Sequence, residues 1–368
     1  MGTLRIAQVA PLYERVPPLR YGGTERVVSY LTEALVERGH EVTLFASGDS
    51  ETRAPLVPGA PRGLRLEGPA QDPIALHLGM LLGVYERAAA FDVIHCHTDY
   101  LGLPLTRTVQ TPTVVTLHGR LDLAEAHPVY QAFPTVGFVA VSQAQRAPLS
   151  GVRWAATVHH GLPRDLYAFQ PTPGRYLLFV GRISPEKQPD AAIRVAVRAG
   201  IPLKIAAKVD RADAEYFAAV VRPLLDHPLV ELLGEVDERA KADLLGHALA
   251  LLFPVDWPEP FGLVLIEALA CGTPVIARCR GSVPEIVTDG RTGFLCETEA
   301  DMIAATTRVE RLSRAACRRE FEERFTVRTM VDAYLRVYEG EQVRAAFVRA
   351  EKPKRLNALA DQPIAGSA

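Results

Sequence analysis

Short apolar runs that alternate with helical patterns along the 368 residues predict an α/β protein with two domains. The apolar runs have the length and composition of strands that are buried on both faces, as in a parallel sheet. The alternation is interrupted at 159–163 and again in the turn-rich stretch 169–174, which indicates a domain boundary. We therefore expect one α/β domain at 1–165, a second at 166–340, and a poorly ordered tail at 341–368.

The composition excludes several classes of function. With 41 basic and 43 acidic residues, bulk charge favours neither nucleic acid nor an anionic membrane, so at most peripheral membrane contact is expected. No apolar run approaches the ~20 residues of a membrane span, and the first residues lack a signal-peptide pattern. The five cysteines are scattered and odd in number, which fits reduced thiols in a cytoplasmic protein better than a disulfide framework.

The first half of the chain repeats a strand–loop–helix pattern. A strand is predicted at 4–10, Thr24 is placed to cap a helix that reaches about residue 38, and the next strand is predicted at 41–46. The later strands of this half are predicted at 93–96, 113–117, 136–141 and 152–158.

Two glycines, Gly22 and Gly23, lie between the first strand and the first helix. Glycines at this position let the backbone approach a pyrophosphate, and a plain flexible turn is the alternative. The G-x-G-x-x-G spacing of a nicotinamide-dinucleotide site is absent.

Three histidines lie at or just beyond strand ends. His95 and His97 flank Cys96 on an extended segment, so the two imidazoles point to one side and the thiol to the other. A metal site is one interpretation, but no fourth ligand is evident, and packing or a lining of the ligand crevice is favoured. His118, followed by Gly119, lies where open α/β sheets bind their ligands; a loop histidine without function is the alternative.

The second half begins with an apolar strand, 176–180, that leads directly to Arg182 and Lys187. Arginine offers a planar fork and lysine a compact point charge, and a diphosphate can use both; ordinary surface charges are the alternative. Gly234 and Val236 end a later strand and are placed to border a base through their backbone. The other predicted elements are helices at 189–199, 211–225, 238–246, 308–324 and 327–338 and strands at 203–207, 230–233 and 274–277.

The stretch 254–274 carries the clearest chemistry. The apolar run 248–253 stops at a proline, and Phe261 and Gly262 then open a helix that ends at Gly272. The start of such a helix presents free backbone amides and a positive dipole end, which suit a phosphate.

Two carboxylates flank this helix start. Glu259 precedes the helix and Glu267 lies within it, and both are placed to accept hydrogen bonds from hydroxyl groups. A phosphate-binding helix start between two hydroxyl-binding carboxylates predicts a sugar nucleotide as the ligand.

The pattern from Glu259 through Gly262, followed by Glu267, resembles the E-x7-E motif of the large fourth family of retaining glycosyltransferases. Supporting segments, in chain order, are Gly22-Gly23, His118-Gly119, Gly181-Arg182 with Glu186-Lys187, and 281–295. The resemblance covers about 4–338 and implies the GT-B architecture, in which two Rossmann-like domains have parallel sheets that face each other across a cleft. The first domain would lie on the acceptor side, the second would bind the nucleotide sugar, and the last helix would be able to pack back on the first domain.

The resemblance also implies roles for these residues. Arg182 and Lys187 would contact the donor pyrophosphate, and Glu259 would hold the donor sugar. Glu267 would hold the ribose hydroxyls, and His118 would lie near the sugar and the acceptor. The other donor-binding residues would be Gly22, Gly23, Gly234, Val236, Phe261, Gly262, Leu263 and Val264.

Two departures from the family pattern matter. Gln188 and Pro189 follow Lys187 where the family usually has glycine, so the helix start would be set differently. The segment between the domains is 160–163, His-Gly-Leu-Pro, in place of Asn-Gly-Val/Ile-Asp, which leaves the hinge contacts and the roles of His159 and His160 open.

The expected reaction is metal-independent, retaining transfer of a hexosyl group from a nucleotide-diphosphate sugar to an acceptor hydroxyl. A UDP-sugar is favoured over a GDP-sugar, and no further cofactor is expected. The alternatives are a sugar-nucleotide epimerase on the same architecture and a non-catalytic nucleotide-sugar-binding protein. Glu259 as a nucleophile, as in glycosidases, is a less favoured alternative to hydroxyl binding.

Overall fold

The computed structural model describes residues 2–20, 22–67 and 72–360, with the backbone alone described at 66–67 and 348–360. The strands in these residues form two sheets in which every pairing is parallel. The first sheet, in the order β3-β2-β1-β4-β5-β6-β7, contains β1 (Arg5–Val9), β2 (Glu41–Ser47), β3 (Leu56–Ala60), β4 (Val93–Cys96), β5 (Thr113–Leu117), β6 (Gly137–Ala140) and β7 (Trp154–Thr157). The second, in the order β10-β9-β8-β11-β12-β13, contains β8 (Leu177–Ile183), β9 (Leu203–Val209), β10 (Val230–Gly234), β11 (Ala250–Phe253), β12 (Val275–Arg278) and β13 (Gly293–Cys296).

Helices cover the sheets, as parallel strands require. They are α1 (Gly23–Glu37), α2 (Leu64–Glu67), α3 (Pro73–Glu86), α4 (His127–Gln131), α5 (Gln143–Arg146), α6 (Pro189–Ala199), α7 (Ala214–Tyr216), α8 (Glu238–Gly246), α9 (Leu263–Cys271), α10 (Val283–Ile286), α11 (Glu299–Thr306), α12 (Arg314–Arg324) and α13 (Val327–Ala360). No helix in the described part of the chain has the length and apolar character needed to cross a membrane.

The expected α/β class with two parallel-sheet domains is confirmed. The buried strands β4 and β5 consist of apolar and β-branched residues together with one histidine and one cysteine. Strand register places Gln8 of β1 beside His95 of β4, which in turn lies beside Val114 of β5. The register therefore brings polar side chains from neighbouring strands together inside the first domain.

The chain passes between the two domains at two adjacent points. The amide of Leu162 donates to the carbonyl of Phe325 at 2.9 Å, and the amide of Val327 donates to the carbonyl of Leu162 at 2.7 Å. A Cβ on Gly161 would lie 2.2 Å from the carbonyl oxygen of Thr326, so only glycine permits this approach. The two crossings together form a narrow hinge between the domains.

Helix α13 returns to the first domain after the second crossing. Its buried Met330, Tyr334 and Tyr338 belong to the same hydrophobic cluster as Leu31 and Leu35 of α1. The first domain is therefore completed by the last described helix of the chain.

Several predicted elements require correction. Thr24 does not cap α1, because Gly22 is the N-cap residue and no side chain caps the helix. The single helix expected at 211–225 is divided into 3₁₀, α, π and 3₁₀ turns. Strand β8 continues to Ile183, so Arg182 lies within the strand. The elements β3 and α3 were not predicted at all.

The last described helix extends into the stretch that follows residue 340. Helix α13 continues to Ala360, and the buried carboxylate of Glu341 pairs with Arg153 at 2.6 Å. This pair fixes the helix to the first domain beyond the point where its apolar pattern fades. The last eight residues, 361–368, lie outside the described residues.

Candidate active site

A cleft of about 720 Å³ lies between the two domains. Residues at or just after the carboxyl ends of β1, β4 and β5 border it from the first sheet, and residues at the ends of β8 to β11 border it from the second. Open α/β sheets bind ligands at such ends. The predicted site residues on the cleft wall are Gly22, Gly23, His118, Arg182, Lys187, Val236, Glu259, Phe261, Gly262, Leu263, Val264 and Glu267. Gly234 is the exception: it ends β10, but the wall at this point is formed by the residues that follow it.

Two helix starts meet in this cleft. Gly262, the N-cap residue of α9, has a left-handed φ of 80°, and a Cβ there would lie 3.2 Å from Leu265, so glycine is favoured. A Cβ on Gly23, at the start of α1, would lie 3.5 Å from the side chain of Leu263. The positive ends of two helices from different domains are therefore neighbours, an arrangement that suits an anion.

Glu259, in the loop before α9, is buried and oriented by two donors. Lys187 forms an ion pair with its Oε2 atom, and the indole N–H of Trp257 donates to the same oxygen at 2.8 Å. The ammonium group of Lys187 also lies 5.1 Å from the Trp257 ring centroid, within cation–π range. Both protein partners use Oε2, which leaves Oε1 as the oxygen for a ligand hydroxyl.

Arg182 lies in β8 among acidic side chains. Its guanidinium pairs with Glu186 and lies 3.3 Å from a carboxylate oxygen of Asp213. Burial acts to raise the pKa of Glu186, but a hydrogen bond from its own backbone amide and the positive charge of Arg182 together lower it. The cation is thus already compensated by carboxylates at the edge of the cleft.

Glu267, within α9, belongs to a charged network that spans the cleft. Its Oε1 atom accepts from Lys241 at 2.7 Å, and Lys241 is also 3.2 Å from Glu238 of α8. Glu238 forms an ion pair with Arg26 of α1, on the opposite wall, and accepts from the hydroxyl of Tyr167. Arg26 and Glu238 therefore connect the two domains directly above the predicted ribose carboxylate.

His118 borders the cleft on the first domain. Its Nε2 atom lies 2.8 Å from Nδ1 of His97, and its ring stacks on His160 with centroids 5.2 Å apart. Burial lowers the pKa of His118 to about 3, so the imidazole is neutral at pH 7. The histidine can therefore exchange hydrogen bonds with hydroxyl groups but carries no charge toward a phosphate.

The side-chain alternation predicted around Cys96 is present. His95 and His97 lie on one side with ring centroids 4.1 Å apart, and Cys96 packs in the apolar cluster on the other side. Over the ranges that the structure describes, no group of three or more His, Cys, Asp or Glu side chains is arranged to hold a metal ion. The imidazoles instead form hydrogen bonds within the domain.

The linker histidines have different surroundings. His159 lies 3.1 Å from Glu285 of α10, and the same carboxylate accepts from the backbone amides of Gln143 and Ala144 in the first domain. His160 is buried against Phe261, with ring centroids 4.7 Å apart. Both histidines thus take part in contacts on the hinge side of the cleft.

The replacement of the family's glycine after Lys187 by Gln188 and Pro189 affects the backbone at the start of α6. Gln188 adopts a left-handed backbone conformation with φ 55°, which glycine would adopt without strain. Pro189 then occupies the first position of α6, where proline is favoured. The helix start is retained at the cost of one strained residue.

Sequence reasoning missed two acidic residues on the acceptor-side wall. Asp99 follows β4 with a left-handed φ of 49°, and its carboxylate faces the cleft with no hydrogen-bond partner among the described residues. Desolvation by the surrounding walls raises the pKa of Asp99 to about 6, and the burial of Glu25 raises its pKa to about 7. The only signal for Asp99 was its place after a strand end, and nothing in the sequence showed where Glu25 would point.

Comparison with known proteins agrees with this architecture. Residues 21–151 match the family model described as Glycosyltransferase Family 4, and residues 169–326 match the model described as Glycosyl transferases group 1. The chain is 28% identical to a phosphatidyl-myo-inositol mannosyltransferase of Mycolicibacterium smegmatis, over 82% of this chain and 83% of that protein. It is 27% identical to a glycogen synthase of Mycobacterium tuberculosis, over 96% of this chain and the full length of the relative.

Solved structures share the fold. AviGT4, a glycosyltransferase involved in avilamycin A biosynthesis, has a TM-score of 0.71 and 25% identity, with 92% of this chain and 98% of that chain covered. HepE of Anabaena, solved in complex with UDP and glucose, has a TM-score of 0.71 and 19% identity, with 91% and 99% covered. The protein is therefore a glycosyltransferase of the GT-B architecture. Within that class it belongs with the family 4 and group 1 sequences.

Proposed function

We propose that this glycosyltransferase moves a hexosyl group from a nucleotide-diphosphate sugar to an acceptor hydroxyl, with retention of anomeric configuration and without a metal ion. One observation carries the proposal: each of the two carboxylates at α9 has one oxygen held by a lysine and the other without a protein partner among the described residues. An ionised, oriented carboxylate with one available oxygen is suited to accept a hydrogen bond from a sugar hydroxyl. Glu259 would bind the hexose in this way and Glu267 the ribose.

The diphosphate would lie between these two carboxylates. There it meets the starts of α1 and α9, with Lys187 and Arg182 at the edge. Negative charge grows on the diphosphate as the glycosidic bond breaks, so these groups stabilise the transition state more than the ground state. The same cations supply the charge stabilisation that a divalent ion gives in other phosphate-transfer sites.

Asp99 would bind the acceptor. Its carboxylate lies on the first domain's wall, faces the same cleft and has no ion-pair partner in the described part of the chain. A carboxylate there would accept a hydrogen bond from the incoming hydroxyl group and orient it toward the hexose. The nucleophile role considered for Glu259 is disfavoured, because the ion pair with Lys187 and the hydrogen bond from Trp257 stabilise its negative charge and make the carboxylate a weaker nucleophile.

The direct test is a transfer assay over a panel of UDP- and GDP-sugars and hydroxyl acceptors, with and without a chelator. A UDP-sugar would be tried first, since HepE of the same fold was solved with UDP and glucose. Transfer that survives the chelator and gives a product with the donor's anomeric configuration is expected. Inverted product, loss of transfer with the chelator, or a covalent glycosyl adduct on Glu259 would contradict the corresponding part of the proposal.

An assay with donor alone distinguishes the transferase from the epimerase alternative. Slow hydrolysis of the donor is compatible with a transferase, whereas release of an epimeric sugar without acceptor would indicate an epimerase.

A further inference from the structure

A buried chain of hydrogen bonds leads from His118 into the first domain. Nε2 of His118 lies 2.8 Å from Nδ1 of His97, and Nε2 of His97 lies 3.0 Å from Oε1 of Gln8. Gln8 is fully buried and His97 is 2% exposed. The side chain of Gln8 thus lies two hydrogen bonds away from the cleft, where solvent has no access.

The amide nitrogen of Gln8 faces the other way. It lies 3.1 Å from the hydroxyl oxygen of Tyr338, on α13, and 3.4 Å from Nδ1 of His95. The Tyr338 hydroxyl oxygen is itself 2.7 Å from Nδ1 of His95, and Nε2 of His95 lies 2.7 Å from the hydroxyl oxygen of Thr116. The Tyr338 hydroxyl oxygen is therefore the nearest acceptor for the Gln8 amide nitrogen, and Nδ1 of His95 is the next polar atom.

The neighbouring polar atoms fix the orientation of the Gln8 amide. An amide NH₂ group has two hydrogens to donate and a carbonyl oxygen has none. Toward Tyr338 and His95, two polar atoms lie within 3.4 Å of the amide nitrogen, the hydroxyl oxygen and Nδ1, whereas toward His97 there is one nitrogen. The reversed amide would leave one N–H group buried without a partner, which is costly.

The orientation of Gln8 in turn sets the protons of the two histidines. Because the carbonyl oxygen of Gln8 can only accept, Nε2 of His97 carries the hydrogen. Burial lowers the pKa of His97 well below its usual value, so the ring is neutral and its Nδ1 atom is an acceptor. His118 must then donate from Nε2, which leaves a lone pair on its Nδ1 atom.

We propose that Gln8, acting through His97, is a positioning residue that keeps His118 in the Nε2–H tautomer, so that Nδ1 accepts a hydrogen bond from a ligand hydroxyl in the cleft. The stacking of His118 on His160 fixes the plane of the ring, and the chain from Gln8 fixes which nitrogen has the hydrogen. The identity of the hydrogen-bond partner, a ligand hydroxyl group, rests on the proposed function. The tautomer of His118 does not depend on that function.

The tautomer is measured without any substrate. Protein labelled with ¹⁵N-histidine is studied by two-bond ¹H–¹⁵N correlation spectra near pH 7, with the His118 signals assigned from His118→Ala. We expect protonated Nε2 and unprotonated Nδ1 in the wild type and in Gln8→Glu, which keeps an acceptor oxygen toward His97. We expect a mixture of both tautomers in Gln8→Met. A wild-type His118 protonated on Nδ1, or an unchanged tautomer in Gln8→Met, would overturn the proposal; should Gln8→Met not fold, the wild type and Gln8→Glu still decide it.

Transfer kinetics give the second readout. Loss of a neutral hydrogen bond to the ligand should lower kcat/KM of Gln8→Met about tenfold. The matched control is Tyr334→Phe, which removes a buried hydroxyl 3.0 Å from Thr116, on the far side of His95 from Gln8, and should stay within about twofold of the wild type. Equal losses in the two variants would point to general destabilisation and contradict a positioning role. If transfer fails for the wild type while the spectra behave as expected, the proposed function is at fault and the tautomer inference stands.

Discussion

The two walls of the cleft carry their polar groups in different ways. On the wall formed by the second domain, Lys187, Lys241 and Arg182 each pair with a carboxylate. On the wall formed by the first domain, His118 and His97 are hydrogen-bonded to each other, and burial keeps both neutral. The lysines and the arginine suit a diphosphate leaving group, and the neutral imidazoles suit the hydroxyl groups of sugars. Each domain thus supplies groups that the other lacks, so the site is complete only when the domains are together.

Acidification should have the largest effect, because the two walls should lose stability at different pH values. Burial lowers the pKa values of four histidines of the first domain and the linker far below the usual range: His95, His97, His118 and His160. The unfolded chain, with histidine pKa values near 6.5, therefore binds more protons than the folded one, and stability falls as the pH drops below about 6.5. Each histidine contributes about 1.4 kcal/mol per pH unit, and the raised pKa values of Asp99 and Glu25 offset about two of the four, which leaves on the order of 3 kcal/mol per unit.

The wall formed by the second domain should respond at lower pH. Against the effect of burial, the pKa of Glu186 is lowered by its own backbone amide and by Arg182, and that of Glu238 by Lys241 and Arg26, so the stability that they contribute is lost only as the pH falls below about 4.5. Urea unfolding at about pH 7.5, 6.5 and 5.5, with hydrogen exchange to locate the first segments to open, measures both effects. A free energy of unfolding that stays constant to about pH 5.5, or opening that begins in the second domain, would contradict this comparison.

The variant Lys187→Ala should give the largest loss of activity. It removes a cation that contacts Glu259 and borders the place where leaving-group charge would grow, so kcat should fall ~100- to 1000-fold, or about 3–4 kcal/mol. Single-turnover kinetics measure the chemical step. Lys204→Ala is the control, since Lys204 lies on β9 away from the cleft wall and should retain normal turnover. Near-normal turnover in Lys187→Ala would remove this residue from the mechanism.

The variant Asp99→Asn tests the wall formed by the first domain. Asparagine keeps the shape of the side chain and tolerates the left-handed φ of 49°, so the fold should be retained. Loss of the charged acceptor oxygen should raise the KM for the acceptor about tenfold and leave donor hydrolysis unchanged. Asp122→Asn, a carboxylate of the same domain that pairs with Arg120 outside the cleft wall, is the matched control. An equal fall in transfer and hydrolysis would argue against acceptor binding by Asp99.

Sequence periodicity predicted most of the fold but missed elements whose patterns are unusual. β4 and β5 were predicted with their observed bounds, because short apolar runs of β-branched residues are typical of buried strands. β3 was missed because Pro58 and Gly59 interrupt an edge strand. α3 was missed because its sequence is apolar on both faces, with Ile74, Leu78 and Leu82 exposed to solvent.

The site was predictable only where a residue's position along its own element determines its exposure to the cleft. Glu259 and Gly262 adjoin the start of a helix that follows a strand end, so the local pattern was sufficient. The partners of these residues come from distant parts of the chain: Arg26 and Glu238 are more than two hundred residues apart and meet only through the packing of two domains. No local pattern indicates such a contact, and the hydrogen bond between Gln8 and His97 likewise depends on strand order.

The pair of Arg26 and Glu238 gives the smallest expected effect and tests how the two walls are held together. The Arg26 side chain is 8% exposed and that of Glu238 is 25% exposed, so the contact is only partly screened by solvent. In Arg26→Met, Glu238 keeps Lys241 and Tyr167 as partners, so no carboxylate is left unpaired and the cost should be modest. We expect the donor Kd to rise about fivefold, close to 1 kcal/mol, because closing the domains over the donor then gains one ion pair less.

Calorimetry measures the affinity, and X-ray scattering with and without donor shows whether the open form is more populated in the variant. Arg38→Met is the control: Arg38 pairs with Asp332 where α1 packs on α13 within the first domain, and its loss should leave donor affinity unchanged. Equal affinities in wild type and Arg26→Met would show that this pair does not contribute to closure, which would then depend on other contacts between the domains, such as those of Glu285 with the amides of Gln143 and Ala144.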